Sequence, residues 1–134
     1  MYKKHLIAIT LIALAFSGLS WAQIDKIGLF TEAVSWTDVA TAQAAADYIK
    51  ANVKAANSIE VYNDADIGKF AADNTDDGNV DIIITFGYFP TSLYTPGNAQ
   101  EDGSVGEKFL EGGDIFLNTA DYIFYVTQGG GANG

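Results

Sequence analysis

The stretch Val80-Asp81-Ile82-Ile83-Ile84-Thr85-Phe86 (VDIIITF, residues 80–86) is a nearly continuous run of β-branched and apolar side chains. It lacks the polar alternation of a strand with one wet face, so it reads as a strand covered on both sides, the situation inside a parallel sheet. Gly87 ends it. Upstream, Ser58-Ile59-Glu60-Val61-Tyr62 alternates as another strand, Asn63-Asp64-Ala65-Asp66 carries turn chemistry, and residues 67–72 are expected to form two turns of helix. Further back, Lys26-Ile27-Gly28-Leu29-Phe30 reads as a first strand, and Ser35-Trp36-Thr37-Asp38 has the form of a capping box. The helix expected after it would bury Trp36, Val39, Ala42, Ala46, Ile49 and Val53 as one stripe and end near Asn57. Strand, helix, strand, helix, strand at this spacing predicts βαβ units and an open, doubly wound α/β sheet.

Downstream of the decisive strand, YFPTSLYTPGNAQEDG (88–103) is a long loop holding both prolines, a length usually associated with function or mobility. Ser104-Val105-Gly106-Glu107 forms a second capping box and starts a short helix that Gly112-Gly113 ends. Asp114-Ile115-Phe116-Leu117 begins a fourth strand. Asn118-Thr119-Ala120-Asp121 then breaks the apolar pattern, and residues 120–126 are compatible with either helix or strand. With no further element to cover that segment, the terminal TQGGGANG (127–134) reads as a connection, and the domain is expected to be the N-terminal part of a longer one, incomplete at its C-terminus.

The first 22 residues have a different character. Lys3, Lys4 and His5 precede an apolar stretch from Leu6 to Leu19, and Ser20-Trp21-Ala22 offers small residues where a signal peptidase reads. A signal peptide over 1–22 is expected, with cleavage after Ala22 and export to the periplasm or the extracellular space. The apolar stretch of about 14 residues falls short of the roughly 20 that span a bilayer, so no stable membrane anchor should remain after cleavage.

The mature segment, 23–134, keeps five lysines against seventeen acidic residues, a net charge of −12, with no arginine, histidine or cysteine. Such a field repels phosphate backbones and argues against nucleic-acid binding. The missing residue types exclude thiolate nucleophiles, Ser-His-Asp relays and ordinary zinc sites. The residues present therefore point away from an enzyme.

The order of a strand ending in TFGYFP, a capped helix leading into FLEGGDIFL, and a tight NTADYIFYV resembles the class I glutamine amidotransferase-like superfamily, particularly its secreted, trehalose-utilisation-like (ThuA-like) relatives. The resemblance runs from about Lys26 to the end and implies a flavodoxin-like (Rossmann-like) open parallel sheet with helices on both faces. In active members a sharp strand-to-helix turn carries the nucleophile. Asn118-Thr119-Ala120 would occupy that turn, where the amidotransferases need a cysteine between glycines. The departure argues against glutamine hydrolysis. Thr119 is a candidate nucleophile only if Asp121 or Glu32 takes its proton; otherwise the Asn-Thr pair caps a helix.

Ligands of open α/β sheets bind outside the carboxyl ends of the strands. That rule nominates Thr31, Glu32 and Trp36 after the first strand, Gly87 and Tyr88, with Phe89 beside them, after the third, and Asn118 and Thr119 after the fourth. Amides, carboxylates and aromatic faces together suit a carbohydrate or another neutral polar molecule. Trp36 and Phe89 are equally readable as packing residues. No cofactor is expected, because the terminal glycines lack the lysine of a P-loop and Glu32 and Asp38 stand where an anion would sit. Asp73, Asp77 and Asp81 are calcium candidates by spacing, with Gly78 at the sharp turn, but Thr75 and Ile84 occupy ligand places and a solvated acidic turn fits better. Three functions follow as expectations: an exported, non-catalytic binding or interaction module; a hydrolase whose catalytic groups lie beyond Gly134; or a scaffold without a small ligand.

Overall fold

A computed structural model describes residues 23–120 and 123–130. The expected leader and Asp121 lie outside the described residues. Four strands, β1 (Ile24–Phe30), β2 (Ser58–Tyr62), β3 (Val80–Thr85) and β4 (Ile115–Asn118), alternate with three helices, α1 (Val39–Asn52), α2 (Asp64–Asn74) and α3 (Val105–Glu111). The sheet has the order β2-β1-β3-β4 and every pairing is parallel, so the chain is an α/β open sheet of the flavodoxin-like kind.

Residues alternate across the sheet as the pleat requires. Ile27, Leu29 and Ile82 face α1 and pack with Ala42, Ala46 and Phe86. Phe30 and Ile83 face the other way, into a core built with Ile67, Phe70, Ala71, Phe109 and Phe116 from α2, α3 and β4. The helices thus cover both faces, as the resemblance implies. Gly28 sets the closeness of α2, since a Cβ there would meet Ile67 Cδ1 at 2.8 Å and the Phe70 ring at 3.1 Å. On the α1 side of β4, Ile115 and Leu117 are exposed.

Local chemistry redraws several expected boundaries. The N-cap of α1 is Asp38, not Ser35: its carboxylate accepts from the Thr41 amide at 2.8 Å and the Thr41 hydroxyl at 3.0 Å. Ser35 does not open the helix: Trp36, which would be its first residue, is left-handed with φ of 62°, and the Ser35 amide donates to the Phe86 carbonyl at 3.1 Å, which fastens the preceding loop to the sheet. Trp36 is consequently outside the helix, and its buried stripe starts at Ala42. The helix ends at Asn52, where Val53 turns extended while its amide still reaches the Ile49 carbonyl. α2 is longer than expected, because Asn63 caps it by accepting from the Asp66 amide, and the expected turn residues become its first turn. Residues 123–125 form a turn rather than a helix or strand, followed by one parallel bridge between Phe89 and Thr127.

The capping box at Ser104 forms as expected, with Ser104 and Glu107 each accepting the other's amide. The long loop after β3 is anchored rather than loose. Its Phe89, Pro90, Leu93 and Tyr94 are buried, and Asp64 at the start of α2 accepts from the amides of Thr91 and Ser92 at 3.2 and 2.8 Å.

Candidate functional site

The chain reverses direction across the sheet between β1 and β3, because β1 leads through α1 to one side and β3 continues on the other. The carboxyl ends of these strands are where a doubly wound sheet opens a crevice. Here the loop 31–38 folds over that opening. Gly87 makes the approach possible: an added Cβ would lie 2.1 Å from Ser35 N and 2.5 Å from the Val34 carbonyl carbon, and its φ of 153° is one that a residue with a side chain avoids.

What remains open is a cleft of about 260 Å³ between this loop, the start of α1 and the end of β4. It is lined by the hydroxyl residues Ser35, Thr37, Thr41 and Thr119 and the apolar Ala42, Ala45 and Phe86, and the largely exposed Trp36 stands at its mouth. Trp36 is 83% exposed and left-handed, with φ of 62°. A bulky residue in that region is strained, and such strain concentrates at binding and catalytic sites. None of the described residues lining the cleft is titratable. The nearest cap, Asp38, has its carboxyl held below the usual range by the backbone and hydroxyl of Thr41, so it stays ionised and occupied.

The structure separates the seven ligand candidates. Trp36 and Thr119 meet in the cleft. Thr31 is buried, its hydroxyl within 3.3 Å of Gln43 Oε1. Glu32 is exposed on the side toward β2, where its carboxylate accepts the Asp64 amide at 3.1 Å. Gly87 and Asn118 are architectural: the Asn118 amide donates to the Gly87 carbonyl at 2.8 Å. Tyr88 is exposed but does not line the cleft. Phe89, nominated beside them, is fully buried against Phe116 and Phe124, with ring centroids 5.1 and 4.8 Å apart.

Thr119 lines the cleft while its amide donates to the Thr85 carbonyl at 3.2 Å. Of its two candidate bases, Asp121 lies outside the described residues and Glu32 is engaged by Asp64. Ser35, Thr37 and Thr41 also line the cleft, although the strand-end rule does not nominate them. Their signal was the density of hydroxyl residues around Trp36 in SWTDVAT (35–41), which the expected capping box obscured.

The calcium candidates do not converge. Asp73 pairs with Lys69 along α2, Asp77 accepts the Asn79 amide at 2.8 Å, and Asp81 is buried in β3 with Oδ1 on the Lys26 amide at 2.7 Å. No group of three acidic, histidine or cysteine side chains suited to a metal occurs among the described residues. No described helix is long and apolar enough to cross a membrane. Compared with protein families, with curated proteins and with solved structures, the chain has no match.

Proposed function

We propose that this chain is an exported, non-catalytic α/β domain that binds a neutral polyol, a carbohydrate in the first instance, in the cleft beneath Trp36. The observation that carries the reading is the exposed indole of Trp36, held in a strained backbone at the mouth of a hydroxyl-lined cleft. The π face of an indole is electron-rich and attracts the weakly positive C–H face of a sugar ring. Ser35, Thr37 and Thr119 carry hydroxyls that can both donate and accept hydrogen bonds, and Thr41, whose hydroxyl already donates to Asp38, can still accept one, which matches sugar hydroxyls. The absence of charge from the described lining and the strongly negative chain disfavour anionic ligands. The resemblance to the amidotransferase-like superfamily supports the same reading, because the turn that would carry a nucleophilic cysteine holds Asn118, Thr119 and Ala120.

The test is calorimetric titration of the exported protein with a panel of neutral mono- and oligosaccharides, alongside uronate-containing ones. Saturable heat with a neutral member, lost in Trp36→Ala, is the expected result. A panel without heat overturns the carbohydrate reading, and preference for the uronates overturns the charge argument.

A further inference from the structure

Two carboxyl groups are buried at the opposite end of the sheet, where β1, β3 and β4 begin. Asp81, in β3, is 0% exposed, and Asp114, just before β4, is 5% exposed. They form a relay across three chain segments: the Lys26 amide of β1 donates to Asp81 Oδ1 at 2.7 Å, and the Asp81 amide donates to Asp114 Oδ1 at 2.8 Å. The other oxygen of each, Asp81 Oδ2 and Asp114 Oδ2, is buried with no hydrogen-bond partner among the described residues. The turn after α3 closes over the second of these, since a Cβ at Gly112 would lie 3.4 Å from Asp114 Oδ2.

Few charges nearby favour ionisation. Lys26 faces the pair from β1, but its ammonium is already held by Asp25 at 3.0 Å and by Asn74 Oδ1 at 2.6 Å, with Asp77 at 3.8 Å. From the turn between α2 and β3, Asp76 and Asp77 add negative charge. α3 offers no compensating cation here, because Lys108 extends toward Gly103. A buried carboxylate with an unsolvated oxygen costs far more when ionised than when protonated. Burial accordingly pushes both carboxyls up from their ordinary value of 3.8, against the backbone amides and, for Asp81, Lys26, which pull them down.

We propose that Asp81 and Asp114 form a proton-dependent lock on the edge strand: the folded chain holds a proton on one of the two buried carboxyls, and losing it loosens β4 from β3. β4 is the element most exposed to this change. It has four residues, pairs among the described residues only with β3, and is tied at its start by the Asp114–Asp81 contact.

The sign follows from linkage. With folded values above the unfolded ones, the native state binds more protons between them, so the contribution is fully present below the unfolded value and is lost as pH rises through the folded values.

The experiment is thermal unfolding of the purified protein from about pH 4, near the ordinary carboxyl value, up to about pH 8, so that the span above that value is covered. Three variants accompany it: Asp81→Asn, Asp114→Asn and the control Glu101→Gln. The asparagine variants mimic the protonated carboxyl and keep an oxygen acceptor for the relay. Glu101→Gln removes an exposed carboxylate with the same change in net charge. The expected result is a midpoint that falls as pH rises in the wild type and in Glu101→Gln, and a flattened profile in at least one asparagine variant. A flat wild-type profile, or equal slopes in all four proteins, overturns the proposal. If the asparagine variants do not fold, carboxyl ¹³C titration of the wild type decides. Asp81 or Asp114 titrating above the exposed aspartates supports the lock, and both titrating with them overturns it.

Discussion

The side-chain amide of Asn118 donates to the Gly87 carbonyl at 2.8 Å, while the Asn118 side-chain oxygen accepts the Ala120 amide at 2.8 Å. One residue therefore ties the turn after β4 to the kink after β3 and shapes the turn that presents Thr119. Asn118→Ala removes both bonds and leaves a carbonyl without its partner, at an expected cost of about 1–3 kcal/mol. Asn118→Asp keeps the acceptor but not the donor, and its loss should be smaller than that of the alanine variant if the Ala120 bond dominates. Urea unfolding with an unchanged slope measures both.

Gly87→Ala tests the close approach of the loop above it. The added Cβ would meet backbone atoms of Val34 and Ser35, which cannot swing aside as the end of a side chain can. We expect a destabilisation of about 2 kcal/mol or more, combining overpacking with an unfavourable φ. The shift should also change Trp36 emission without any ligand, because Ser35 and Trp36 move with that loop. Unaltered stability and emission would mean that the loop is not packed on Gly87.

Trp36→Gly separates binding from stability. The substitution relieves a left-handed conformation that costs about 1–2 kcal/mol in an ordinary residue, and it adds about 0.5–1 kcal/mol of glycine backbone entropy to be lost on folding. The indole is largely exposed, so little buried area is removed. Stability should change by between zero and about 1.5 kcal/mol, in the stabilising direction, while saccharide binding disappears. A large loss of stability would show instead that Trp36 is a packing residue.

Asp64 should give a pH dependence opposite in sign to that of Asp81 and Asp114. Burial pushes its carboxyl up, but hydrogen bonds from Thr91 and Ser92 outweigh it and hold the group below its ordinary value of 3.8. A folded value below the unfolded one stabilises the protein above the unfolded value, and that contribution is lost as pH falls through the folded one. Asp64→Asn should therefore destabilise the protein near neutrality and reduce the acid sensitivity of urea unfolding below about pH 4. Equal acid sensitivity in the two proteins would remove Asp64 from this role.

Much of the architecture is legible in local sequence because it rests on near-neighbour chemistry. The β-branched run of β3, the alternation of β2 and the reciprocal cap at Ser104 and Glu107 involve residues close in the chain, and they appear as expected. The candidate site is less legible. Trp36 and Thr119 lie on the strand ends that topology nominates, but Thr31, Glu32, Gly87 and Asn118 share those ends and take structural partners instead. Which residue faces a ligand depends on bonds between segments far apart in sequence, such as Ser35 to Phe86 and Asn118 to Gly87.

The start of α1 shows the same division. Both Ser35-Trp36-Thr37-Asp38 and Asp38-Val39-Ala40-Thr41 place an oxygen three residues before an amide it can cap. The sheet holds the Ser35 amide and Trp36 is left-handed, so the helix starts only after Asp38, which caps it, and Trp36 stays in solvent. By itself, the sequence determined the α/β alternation, the acidic charge and the absence of thiol and imidazole chemistry from residues 23–134, since composition and short-range periodicity suffice for these. Tertiary structure alone decided that Trp36 is exposed, that four hydroxyl residues gather beside it, and that Asp81 and Asp114 are buried together, because each outcome depends on backbone partners that meet only when the sheet closes.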